Sequence, residues 1–158
     1  YGVGSIVALA HDVIIVLGLY SILQGVMPFS MDIDQSFIAA ILTVVGYSLN
    51  DTVVIFDRIR EYLPLYSKRP KKEVYNMALN STLARTLNTG MATIFVLIVI
   101  FIFGGEVIRG FIFALLFGIV FGTYSSLFIS TPVLYETTRG KDESEALTGE
   151  TEKKKIAG

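Results

Sequence analysis

Apolar positions fall into four long runs, roughly 3–23, 36–56, 86–103 and 111–133, with the polar residues gathered between them. Each run approaches or exceeds the about 20 helical residues needed to cross a hydrocarbon core. The pattern therefore predicts an all-α fold: a polytopic membrane bundle of four transmembrane helices. The first connection, 24–35, holds Pro28, Asp32 and Asp34 but no lysine or arginine, whereas the second carries Arg58, Arg60, Lys68, Arg69, Lys71 and Lys72. The positive-inside bias places that second connection in the cytoplasm. The first and third helices then run outward and the second and fourth inward, leaving the C-terminus cytoplasmic. One charge dissents, Arg109 in the short third connection, and Glu106 three residues away can partly offset it.

The second connection has structure of its own. Pro64 and Pro70 predict helix breaks, and Val74, Met77 and Ala78 share one face of a new amphipathic helix over about 71–84. This helix is expected to lie along the inner membrane surface, lysines toward headgroups, before bending into the third span. After Thr137 the composition turns polar, with Asp142, Glu143, Glu145, Glu150 and Glu152. The expected division is a membrane domain over 1–135 and a polar, disordered cytoplasmic tail over 136–158.

Composition agrees with lipid as the solvent: of 158 residues 53% are apolar and only 17% charged, unlike an ordinary soluble domain. The net charge of -1 decides nothing, because the charges sit in blocks. Without cysteine there is neither a disulfide framework nor a thiolate metal site. The chain opens at Tyr1 directly into an apolar run, as a piece of a longer protein does. No nucleophile triad, Walker loop, metal-ligand cluster or basic nucleic-acid surface is discernible. An enzyme is not expected, and no cofactor, metal or nucleic acid is called for.

Ionisable groups inside spanning helices cost a few kcal/mol or more each and are functional candidates by default. Three stand out: Asp51, Arg85 and Asp12. Asp51 lies roughly 22 Å into a core of about 30 Å, counted from the outer end of its helix. Thr43, Tyr47, Asn50 and Asp51 fall on one face, a polar stripe that must meet protein or water. Arg85 sits about 27 Å from the outer end of the third helix, at similar depth. Its own stripe comprises Ser81, Thr82, Arg85, Asn88, Thr89 and Thr93. Two stripes suggest one shared wet seam. The plainer readings are a helix-packing hydrogen bond at Asp51 and a snorkelling arginine at Arg85. Asp12 is nearest the midplane, with His11 beside it; adjacent residues point about 100° apart, so the two are not expected to face each other. Both could belong to a proton path or simply be packed. Asp57, Arg58, Arg60 and Glu61 read as a salt-bridge collar, with Asp57 at contact spacing from Arg60 or Glu61. Gly118 and Gly122 form a G-x-x-x-G face followed by Thr123, Ser125 and Ser126, a packing signal that names no partner.

The string Gly46-Tyr47-Ser48-Leu49-Asn50-Asp51-Thr52, continuing to Asp57-Arg58-Ile59-Arg60-Glu61, resembles the signature of the SecF family in the RND superfamily. Three further matches follow in family order: Ala10-His11-Asp12, Asn80 to Thr86 entering the third span, and Phe103-Gly104-Gly105 with Gly122-Thr123-Tyr124-Ser125-Ser126. The resemblance covers about residues 1–135 and implies the last four helices of a six-helix RND-type half. It further implies a bacterial or archaeal plasma-membrane subunit that pairs with SecD, fused or separate. Such a subunit uses the proton or sodium gradient to assist export of a preprotein through the Sec channel. Asp51 matches the family's proton-carrying aspartate and Arg85 its partner; Asp12, from its depth, and Asn50, from the polar stripe, join them as candidate ion-coupling residues. The expected mechanism is a protonation switch: a proton on Asp51 weakens its attraction to Arg85 and the helices shift. Two rivals remain at this level, another RND transporter moving lipid or drug, and a passive membrane scaffold.

Overall fold

Asp34 opens the second helix by capping it: its Oδ1 accepts a hydrogen bond from the Phe37 amide at 2.9 Å, satisfying one of the free donors at a helix start. In the computed structural model, which describes residues 1–139, the helices are α1 (Gly2–Leu23), α2 (Gln35–Leu65), α3 (Lys71–Phe103) and α4 (Glu106–Phe128). All four are long and apolar enough to cross a membrane. The 31 residues of α2 and 33 of α3 exceed the length a bilayer core requires. Both therefore extend past the apolar region at the end that carries the basic connection.

Three boundaries differ from the sequence expectation. The amphipathic stretch 71–84 does not bend before the third span; it is the first half of α3. The polar residues at the expected bend satisfy themselves within the helix. Ser81 and Thr82 donate to carbonyls at Ala78 and Leu79, and Thr89 and Thr93 to Arg85 and Thr89. No breaker intervenes, so the ladder continues. Pro64 lies inside the last turn of α2, which ends at Leu65. The fourth span starts earlier than 111 and breaks at Ile129, after which helical backbone resumes to residue 139. Pro132 accounts for the break, since it has no N–H for the Phe128 carbonyl and its ring crowds that oxygen. Of the tail expected from 136, residues 136–139 are helical, and 140–158 lie outside the described residues.

The salt-bridge collar also differs. Arg58 pairs with Glu61 at 2.8 Å and its guanidinium lies 5.6 Å from the Tyr62 ring, while Asp57 and Arg60 take no part in an ion pair among the described residues. Arg109 and Glu106 likewise form no ion pair with each other.

α2 and α4 form a central pair flanked by α1 on one side and α3 on the other; α1 and α3 do not touch. The apolar stretch of the fourth span is 61% buried but that of α3 only 17%, which leaves a broad apolar face on α3. Glycine lets α4 approach. A Cβ at Gly118 would run into Val44 of α2, one at Gly122 would lie 3.4 Å from the Ser48 Cβ, and one at Gly90 of α3 would meet the Thr123 hydroxyl at 3.0 Å. The G-x-x-x-G face thus belongs to α2.

The core is layered. One apolar cluster includes Val16, Tyr20, Phe37, Val44, Leu97, Phe113 and Ile119; another, toward the basic end, includes Ile55, Ile59, Tyr75, Ala78, Leu127 and Leu134. Between them lies a band of buried polar side chains: Asp12, Ser48, Asp51, Thr52, Thr86, Thr123, Ser125 and Ser126.

Candidate functional site

Asp51 sits in that band on the second helix and is 6% exposed. Its Oδ2 is buried with no hydrogen-bond partner. A carboxylate left in this condition is costly, on the order of several kcal/mol per ion even after relaxation. Arg85 of α3 lies near enough for its charge to act on Asp51. Yet the two do not form a contact ion pair, and Arg85 is exposed. Arg85 lines a cavity of about 160 Å³ between α2 and α3, together with Ser81 and Thr82 on its own helix and Asp57, Arg58 and Glu61 opposite. Arg85 therefore shares this cavity with Asp57 and Glu61 and also acts by charge on Asp51, one and a half turns or more deeper along α2.

Asp12 has a different environment. It is 0% exposed, and its Oδ2 accepts a hydrogen bond from the Ser48 hydroxyl of α2 at 2.7 Å. Its Oδ1 meets His11 Nδ1 at 3.2 Å, so the neighbouring pair does face each other, contrary to the wheel argument. The wheel fixes the Cα–Cβ directions; two short side chains can still curl toward one another over the helix surface. Gly122 makes room for this carboxylate, since a Cβ there would stand 3.6 Å from Asp12 Oδ2. The chain of hydroxyls continues past Ser48. Thr52 donates to Ser126 Oγ at 3.2 Å, and Ser126 donates to the Gly122 carbonyl at 2.8 Å. Three helices are thereby pinned around one carboxylate.

The sequence stripes are only partly assembled. On α2, Asp51 is buried but Thr43 and Asn50 are exposed, and Thr43 bonds back to the Ala39 carbonyl. The buried polar positions flanking Asp51 are instead Ser48 and Thr52. On α3 the packed positions are Thr82, Thr86 and Gly90, at four-residue spacing, while Ser81, Arg85, Asn88 and Thr89 are exposed. Small residues at that spacing were the available signal, because helices in lipid meet through small residues rather than through the most polar ones. Tyr47 is half-buried; its hydroxyl lies near Thr93 and Thr123 without hydrogen-bond geometry to either, and the Thr123 hydroxyl is likewise unpartnered. No group of three or more His, Cys, Asp or Glu capable of holding a metal ion occurs among the described residues.

Residues 1–140 match the family described as protein export membrane protein SecD/SecF, C-terminal. Among curated relatives, the protein translocase subunit SecF of Rhodothermus marinus is 58% identical over 136 residues, covering 86% of this chain and 44% of the relative. The SecF subunit of Rhodobacter capsulatus is 45% identical over 134 residues, covering 85% and 38% respectively. Among solved structures, SecDF in a super-membrane-facing form superposes with a TM-score of 0.79 at 40% identity, over 92% of this chain and 19% of that one. SecDF from Thermus thermophilus, described as a translocon-associated membrane protein, gives 0.77 at 42% identity, over 88% and 18%. The chain thus spans less than half the length of these curated relatives.

Proposed function

We propose, starting from the premise that this chain belongs to the SecD/SecF C-terminal family of protein-export membrane proteins, that it is the membrane half of a SecF-like subunit which uses an ion gradient to assist protein translocation. The observation that carries this reading is the state of Asp51: buried, with one carboxylate oxygen unpartnered and an arginine nearby but not in contact. Such a group is poised between two ways of relieving its cost. Either Arg85 closes onto it, or it takes a proton.

The switch follows from the cavity. With Asp51 ionised, Arg85 is drawn inward; with Asp51 protonated, that attraction is lost and the guanidinium turns to Asp57 and Glu61 across the 160 Å³ cavity. Because Arg85 rides on α3 and all three acids on α2, each protonation event changes the force between these helices. Asn50, exposed next to Asp51, is available to parts of the longer protein that lie beyond this chain. Asp12, fully engaged with Ser48 and His11, holds α1 and α2 in register around the coupling site.

The natural partners are SecD, fused or separate, the Sec channel, the preprotein in transit and the surrounding bilayer. The relatives are named as translocase subunits, and the charge bias supports a topology with the basic connection and the C-terminus on the cytoplasmic side of the plasma membrane. The test is proton flux and preprotein export in vesicles carrying the full-length protein with Asp51→Asn. Flux and export both fall to the level of protein-free vesicles if Asp51 carries the ion. Wild-type values for both would sink the proposal.

A further inference from the structure

A cavity of about 410 Å³ opens between the basic end of α3 and the break at Ile129. Its walls are mostly apolar, with Leu79 and Leu83 from one side and Leu127 and Phe128 from the other. Tyr75 and Thr131 also line it, each 3% exposed, with their hydroxyl oxygens buried out of contact with the open slot. At the rim stands Lys72, which is exposed and in no ion pair among the described residues. Of the other cations at this end, Arg69 pairs with Glu73 and Arg58 with Glu61.

These features specify an occupant. An apolar slot takes a hydrocarbon chain, and an unpaired ammonium at its rim calls for negative charge. The slot lies at the end of the bundle where the basic connection meets headgroups, and basic pockets between spanning helices on that side suit anionic lipid. We propose that this cavity binds an anionic phospholipid of the adjoining leaflet, its acyl chain against Leu79, Leu83 and Leu127 and its phosphate toward Lys72. Pro132, beside the break at Ile129, forms part of the wall of the slot. The site is separate from Asp51 and rests only on the chain crossing a membrane.

The test is native mass spectrometry of the full-length protein in detergent, equilibrated with phosphatidylglycerol or with phosphatidylcholine. Phosphatidylglycerol adducts are expected to exceed phosphatidylcholine adducts. Lys72→Gln lowers the former about fivefold, equivalent to about 1 kcal/mol, and leaves the latter unchanged. Asn76→Trp, a substitution at an exposed position on the lining, fills the mouth and lowers both. Equal phosphatidylglycerol occupancy in wild type and both variants would overturn the proposal. A photo-crosslinking residue at Leu83 gives a second reading: a lipid adduct supports the site, whereas an adduct to another segment of the protein shows that a helix fills the slot and overturns it.

Discussion

The Ser48 hydroxyl donates to Asp12 Oδ2 at 2.7 Å, joining α2 to α1 through a carboxylate with no exposure to solvent. Removing the donor leaves Asp12 one bond short in a low-dielectric layer. Ser48→Ala is expected to cost about 1 to 2 kcal/mol, toward the upper end for hydrogen bonds between membrane helices. The check is a double-mutant cycle with Asp12→Asn by denaturant unfolding in mixed micelles. A coupling energy near zero would show that the contact carries no weight.

The close approach of α4 to α2 depends on Gly118, where any Cβ collides with the Val44 side chain and its Cγ1 would be only 2.9 Å away. Gly118→Ala should destabilise by about 1 to 3 kcal/mol through overpacking. Gly46→Ala is the control. It has open space around it, so it should be neutral or stabilising by roughly 0.5 to 1 kcal/mol. Pairing Gly118→Ala with Val44→Ala should recover part of the loss; failure to do so would place the strain elsewhere.

Gly90 on α3 faces Thr123 on α4 so closely that a Cβ on Gly90 would stand 3.8 Å from the Thr123 Cβ. That is the separation of a relaxed disulfide, about 3.8 Å. The chain has no cysteine of its own. A Gly90→Cys/Thr123→Cys variant should therefore cross-link under mild oxidation, read as a disulfide on non-reducing peptide mapping. If α3 moves against α4 during transport, export stops on oxidation and returns with reductant.

Arg85 and Asp51 interact through charge without touching. Charge, more than the guanidinium fork, is then what Arg85 supplies. Arg85→Lys is expected to retain part of the proton flux and Arg85→Gln to lose it, measured in the vesicle assay. Equal loss in both would mean that the fork geometry matters and that a bidentate contact forms in another state.

Much of the architecture was legible because crossing a membrane is a local property. Twenty apolar residues in a row specify a span whatever surrounds them, and lysines and arginines between spans mark one end. The second span, the buried Asp51 and the motif running from Gly46 to Glu61 were all visible that way. The helix-length errors arose where local satisfaction replaced a break, as at Ser81 and Thr82, whose hydroxyls return to their own helix.

The sequence by itself determined how many spans there are, roughly where they lie, and that Asp12 and Asp51 fall within them. Only the tertiary structure decided which faces meet: that α4 lies against α2 through Gly118 and Val44, that Ser48 and not Asn50 turns inward beside Asp51, and that His11 touches Asp12. The reason is physical. In water the apolar face of a helix is its buried face, but in lipid both sides of a spanning helix are apolar, so hydrophobicity stops distinguishing inside from outside. Close packing of small residues and the pairing of polar groups take over that role, and both depend on neighbours that the linear chain does not place.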